Sequence, residues 1–215
     1  MSGAADRGDE AVLEGVVAPE LASEFPGLRL AYCEAQVPEG KRSSAAVRDR
    51  LRLLADRQAG AQAVHLRERE IPSAYRVFLR QVGVDPDRDP SPVERLMLER
   101  MREGSLRSEG PVSDALRIAI AETELAMLAL DRAVVDGELQ LRLSREGEQA
   151  ALGEVPLDTG TIVLADRSRA LVEPFGQPSV PEGCSHCLFV ALGVVGVPAP
   201  ALSEGLWCAR MALES

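Results

Sequence analysis

Residues 71–101 read IPSAYRVFLRQVGVDPDRDPSPVERLMLERM, a pattern of two amphipathic helices joined by a stiff acidic turn. Ile71, Tyr75, Phe78, Leu79 and Val82 recur at helical spacing, with Arg76, Arg80 and Gln81 on the opposite face. Gly83 falls just past the end of that helix, where a left-handed residue closes it. Ser91, Pro92, Val93 and Glu94 then spell a capping box with proline at the first helical position. Val93, Leu96, Met97 and Met101 form the stripe expected to face the core, and Gly104 ends the second helix. These signals predict a packed helical pair; by themselves they say nothing about chemistry.

The chain around this segment has 215 residues, enough for one large domain or two small ones. A hydrophobic content of 46% supports a substantial core, and with only 3% aromatics that core must be built from Leu, Val, Ala and Met. Lys41 is the only lysine, so nearly all positive charge is arginine. The formal net charge of −10 opposes a phosphate backbone at long range and argues against sequence-independent nucleic-acid binding. A local arginine cluster could still hold a few phosphates. No apolar run reaches the roughly 20 residues that a membrane helix needs, and the first residues lack a basic-then-apolar leader. Four cysteines, Cys33, Cys184, Cys187 and Cys208, do not make a dense disulfide framework, so a reduced, cytoplasmic setting is expected.

Along the chain, residues 1–20 are small, acidic and aperiodic and are expected to be mobile at the start. Residues 28–37 read as a strand and 43–60 as a helix with Val47, Leu51 and Leu54 on one face. From Val112 an apolar run fits buried helix and strand equally well. Leu139, Leu141 and Leu143 alternate as in a half-buried strand. Residues 161–165 and 187–195 are short apolar runs of the interior-strand type, with a hairpin turn at 166–169. Residues 202–213 read as a closing helix with Leu202, Leu206 and Met211 inward. Helices dominate the first half and strands the second, an α+β pattern rather than a regular βαβ alternation. Residues 21–215 are read as a single domain, because no linker or repeat divides them.

Several motifs weaken on inspection. Cys184, Ser185, His186 and Cys187 offer zinc at most three ligands at awkward spacing, and Cys33, His65 and Cys208 are scattered. A redox CxxC opens a helix, whereas this one leads into a strand pattern, so the expectation is a loop whose last cysteine enters the core. Asp85, Asp87 and Asp89 begin like a calcium loop, but Pro90 and Leu96 stand where glycine and the closing glutamate are required. Ser185 beside His186 is no sign of a nucleophile–base pair, because neighbours on an extended chain point to opposite faces. His65 reads as a surface histidine, and Glu122 with Glu124 as a solvated face.

The order YRxFLRxxGVDP, SPxERLxxRM, VxD and LDR…DGELQLRL…EGE resembles the B-three/B-four domain of the phenylalanyl-tRNA synthetase beta subunit. More particularly it resembles the free-standing proteins made of that domain alone. LDTGTIVLADRSRALVEPFGQPS is similar to the family's strand-turn-strand around its editing pocket. The likeness runs over roughly residues 20–213 and is most specific in 75–101. It implies an α+β fold, a β-sandwich core of unusual topology flanked by helices.

In the synthetase this domain hydrolyses tyrosine wrongly attached to the phenylalanine tRNA. The reaction needs a pocket that measures the side chain and a positioned water. It requires neither a covalent nucleophile, a metal nor another cofactor. Asp114 matches the aspartate of the family's VVDxxN segment, whose asparagine is replaced here by Arg117. Ala126 stands at the family's histidine, and Gln177 at the glutamate of its glycine-rich loop. The resemblance thus implies a substrate-binding set of Asp114, Arg117, Arg142, Asp166, Gln177 and Ser179, with no catalytic residue assigned. In that set arginines would meet phosphate or the carbonyl, and Gln177 and Ser179 would orient the amino acid or water. With the polar partners of a phenol replaced, tyrosine specificity is not expected. The implied partner is the aminoacylated 3′ end of a tRNA, with possible hydrolysis of a mischarged ester in trans. The alternative is a non-catalytic module binding tRNA, an amino acid or a protein.

Overall fold

Two long strands anchor the fold. In the computed structural model, which describes residues 12–57, 65–176, 178, 180–181 and 183–215, Arg29–Gln36 (β3) and His186–Gly193 (β10) pair antiparallel along their full lengths. Leu13–Glu14 (β1) adds to the free side of β3, and Ala126–Asp131 (β4) to that of β10, giving the order β1-β3-β10-β4. A second sheet, β2-β5-β8-β9, holds Val16–Val17 (β2), Gln140–Leu143 (β5), Ile162–Ala165 (β8) and Ala170–Val172 (β9). Within it β2 runs parallel to β5 and the other pairs are antiparallel. Gln149–Ala150 (β6) and Val155–Pro156 (β7) make a small separate hairpin. Leu30, Leu128, Val190 and Leu192 of the first sheet meet Leu141 and Leu164 of the second around a residual space of only about 10 Å³. The apolar faces of the two sheets are therefore packed against each other.

The chain passes from one sheet to the other at Gly15, whose N–H donates to Leu30 O at 2.8 Å while that of Val16 donates to Leu139 O at 3.0 Å. A Cβ at Gly15 would lie 2.4 Å from Leu30 Cδ2 and 2.9 Å from Leu139 O, so the crossing needs glycine. The segment expected to be mobile therefore does not extend through residues 13–20: these enter both sheets and begin the short helix Pro19–Glu24 (α1).

Five longer helices complete the described residues: Ala45–Arg57 (α2), Glu70–Gln81 (α3), Pro92–Glu103 (α4), Pro111–Thr123 (α5) and Ala199–Glu214 (α6). The architecture is α+β. Helix α6 covers the outer face of the first sheet, where the Cys33 thiol reaches Leu206 O at 3.9 Å. The ambiguous run after Val112 resolves into α5 followed by β4. Glu124, left-handed at φ 62°, closes the helix and redirects the chain.

The helical pair α3/α4 follows the sequence reading, with two differences. The capping box of Ser91 and Glu94 is formed, and Gly83 and Gly104 have φ of 79° and 74°. The Tyr75 hydroxyl, fully buried, donates to Leu192 O at 2.5 Å and fastens the pair to the end of β10. Arg76, read as solvent-facing, is instead buried between Glu94 Oε1 and Asp87 Oδ1, both at 2.7 Å. Met101 is 60% exposed, and Met211 of α6 is 46% exposed, so neither belongs to the core stripe. The glutamates read as a solvated face are paired as well. Glu122 meets Arg50 at 2.6 Å, and the buried Glu124 meets Arg69.

Candidate functional site

A cleft of about 830 Å³ opens where β4, the edge strand of the first sheet, is left uncovered between α4, α5 and two loops. Alternation along β4 turns Met127 and Ala129 towards the helices, while Ala126 looks into the space between the sheets. Met127 and Ala129, with Leu96 of α4 and Leu116 and Ile120 of α5, make an apolar floor. Residues 37–41 form one rim, and Gly176, Pro178, Val180, Pro181 and residues 183–185 line the other.

Asp114 sets the first rim. It is fully buried one turn into α5 and does not itself line the cleft. Its Oδ2 accepts from the hydroxyls of Ser43 (2.5 Å) and Ser108, and its Oδ1 from the Glu109 N–H at 2.8 Å. One carboxylate thereby ties the loop before α2 to the loop before α5. Lys41, Arg42 and Arg107 are exposed on these two tied loops. A single charge satisfying three donors in a dry site makes a stiff junction.

Arg117 does reach the cleft wall, but its guanidinium is engaged. It is buried, donates to Arg107 O and Glu99 Oε1, and lies 3.3 Å from Glu109 Oε1. The charged groups on the described walls are the carboxylates of Glu39, Glu99 and Glu109 and the cations of Lys41 and Arg117. Among these lining residues carboxylates outnumber cations three to two, while Arg42 and Arg107 stand on the loops behind them.

The second rim hangs from Phe175, whose carbonyl accepts from Arg95 and whose ring packs on Tyr75 and Phe78 at centroid distances of 5.9 and 6.0 Å. Gly176 then turns where a Cβ would come within 2.5 Å of Val172 and 3.0 Å of Glu173 O. Gly176 and Pro178 line the cleft; Gln177 and Ser179 of the expected set lie outside the described residues.

The remaining expected residues, Arg142 and Asp166, are not brought to this cleft. Both belong to the second sheet and its turn. Arg142 grips Glu148 through two nitrogens, one at 2.8 Å, and holds the Glu148 carboxyl well below its ordinary range, at about 2. Burial would raise Asp166, but the N–H groups of Asp136, Ser168 and Arg169 and the Ser168 hydroxyl together hold it low. Each is consumed by its own neighbourhood, Asp166 in organising a turn and Arg142 in a nearly buried ion pair.

The cysteine motif behaves as read at one end and differently at the other. Cys187 is fully buried, and burial pushes its thiol up to about 12. Cys184 lines the cleft and donates to His186 O at 2.9 Å; burial, then Asp131, raises its thiol. Ser185 sits in a bend before β10, so strand alternation does not separate it from its neighbour, and its Oγ lies 3.2 Å from His186 Nδ1. That pair is exposed, and among the described residues no further group orients the imidazole. His65 is on the surface against Glu68. Sequence reasoning missed Glu99 and Glu109 as wall residues; their only signal was charge near two helix boundaries.

No family model matches the chain. Among curated proteins it is similar to the phenylalanine–tRNA ligase beta subunit of Legionella pneumophila (strain Paris), 37% identical over 78 residues, 35% of this chain and 10% of that subunit. That of Pseudomonas syringae pv. tomato is 34% identical over 122 residues, 53% of the chain and 15% of the subunit. That of Idiomarina loihiensis is 37% identical over 92 residues, 41% of the chain and 11% of the subunit. The chain therefore matches only a small fraction of those subunits' length. It stands in a distant relationship to the beta subunit of phenylalanine–tRNA ligase.

Proposed function

We propose that this chain is a free-standing editing-type domain that receives the aminoacylated 3′ end of a tRNA in the cleft and hydrolyses a mischarged ester in trans, in the cytoplasm. The observation that carries the reading is a convergence. Arg117, β4 and the loop around Gly176, three separate segments of the resemblance to the synthetase editing domain, all border one cleft. Its volume of about 830 Å³ is ample for an aminoacyl group with its terminal adenosine.

The tied loops present Lys41, Arg42 and Arg107 to the phosphates next to that terminus, so local contacts offset the acidic whole. In the reaction, water oxygen bonds to the ester carbon, the bond to the ribose oxygen breaks, and the ribose oxygen takes a proton. The neighbouring ribose hydroxyl is available to assist, and Gln177 and Ser179, which lie outside the described residues, are the groups that the resemblance implies would orient such a water.

A second reading, a binding module without hydrolysis, is favoured by one feature. Ala126 points into the apolar space between the sheets, and the described floor carries no polar side chain to hold a water. Deacylation of a panel of mischarged tRNAs, with Arg117→Ala and Gln177→Ala as controls, separates the two. Release of amino acid from one member, reduced in the variants, supports the hydrolase. Binding without turnover on every member leaves the module, and absence of both binding and turnover overturns each reading.

A further inference from the structure

The cleft has an apolar floor edged by the Glu99–Arg117–Glu109 group, and this division bears on the ligand it takes. Resting on the aminoacyl-end reading above, we propose that the cleft selects an aminoacyl group with an apolar side chain and a free α-ammonium, and discriminates against a hydroxylated side chain.

The floor residues Leu96, Leu116, Ile120, Met127 and Ala129 offer carbon and sulfur to whatever is buried on them. A phenol or alcohol laid on these five side chains loses its water without gaining a hydrogen bond from any of them. An aliphatic or phenyl side chain gains from the same burial. An apolar pocket rejects an added hydroxyl only modestly, so the expected discrimination is about ten- to hundredfold.

The mouth supplies the second part. Arg117 is flanked by the carboxylates of Glu99 and Glu109, whose side chains are 33% and 57% exposed. This group of three, one cation between two carboxylates, carries a net negative charge beside the apolar floor. The α-ammonium of an aminoacyl ester, one bond from the carbonyl and one from the side chain, is the group whose charge and position complement it. Arg117, engaged on both nitrogens, is not free to attract a phosphate in its place.

The test uses the full chain and nonhydrolysable aminoacyl-adenosine analogues, in which a 3′-amide replaces the ester, measured by titration calorimetry. Phenylalanyl and leucyl analogues are expected to bind at least about tenfold more tightly than the tyrosyl analogue. N-acetylation of the phenylalanyl analogue should weaken it by a similar factor. Glu109→Gln, at an exposed position, should weaken the free amine and leave the acetylated analogue unchanged. Leu116→Gln, at a half-buried position, should narrow the gap between tyrosyl and phenylalanyl analogues. Equal binding of all analogues overturns the selectivity and leaves the aminoacyl-end reading standing. Tighter binding of the tyrosyl analogue does the same, while binding of none overturns that reading itself.

Discussion

At the scale of single residues, the Arg142–Glu148 pair is the clearest electrostatic feature of the fold. The Arg142 side chain is 9% exposed and that of Glu148 15%, so the attraction is little screened. Glu148 also accepts the N–H groups of Arg145 (2.8 Å) and Ala170 (3.1 Å), linking β5, the following turn and β9. Its carboxyl sits at about 2 in the folded chain, below the range of an unfolded glutamate. A depressed folded value stabilises fully above the unfolded one, and that contribution is lost as pH falls towards 2. Glu148→Gln is expected to cost about 2 kcal/mol at neutral pH. It should also remove much of the wild-type loss of stability between about pH 4.5 and 2. Urea unfolding at pH 7 and pH 3 checks both; an unchanged difference between wild type and variant at the two pH values would contradict it.

At the scale of elements, α3 and α4 are held by more than their caps. Arg76 spans from one helix to the first turn of the next. There Glu94 also accepts from the Ser91 N–H (3.3 Å) and hydroxyl (3.0 Å). Removing the arginine leaves a buried carboxylate with the more distant Arg67 as its remaining cation at 3.3 Å. Arg76→Ala is expected to destabilise by about 3 kcal/mol, while Arg80→Ala, on the exposed side of α3, should cost under about 0.5 kcal/mol. Equal chemical-denaturation midpoints for the two variants would show that the ion pair does not staple the helices. The caps, the terminating glycines and the apolar stripe could be read from residues 71–101, because each signal acts within four or five positions. The role of Arg76 could not, because a helical wheel ranks a residue by polarity and its partner lies 18 positions away. Met101 failed the same way: its spacing is right for the stripe, but no neighbour covers it.

At the scale of the whole molecule, Asp114 joins the fold to the candidate site. It touches no cleft space, yet both loops that shape one rim hang from its carboxylate. Asp114→Ala is expected to lower stability by about 3 kcal/mol, since it leaves the buried Ser43 hydroxyl and two partly buried donors, from Ser108 and Glu109, without their acceptor. It should also speed amide hydrogen exchange in residues 41–44 and 105–110 more than in β3 or β10. Uniform acceleration across the molecule would mean a general loss of stability and no special role at the rim. Of the six residues marked from sequence, Arg117 lies on the cleft wall and Asp114 behind it, while Arg142 and Asp166 serve the second sheet.

The α+β class, the helical pair and the strands at residues 29–36, 140–143 and 186–193 were determined by the sequence alone, whereas β1, β2, α1 and the division of the run after Val112 into α5 and β4 were not. Caps, alternation and glycine turns are local instructions that the backbone obeys wherever the segment ends up. The use to which each charge is put was decided only by the tertiary structure. Arg117 finds Glu99 18 residues back and Asp166 finds the Asp136 N–H 30 residues back, and these partners decide which polar groups face a ligand. The cleft itself exists because β4 ends a sheet, a fact about strand order that no run of residues contains.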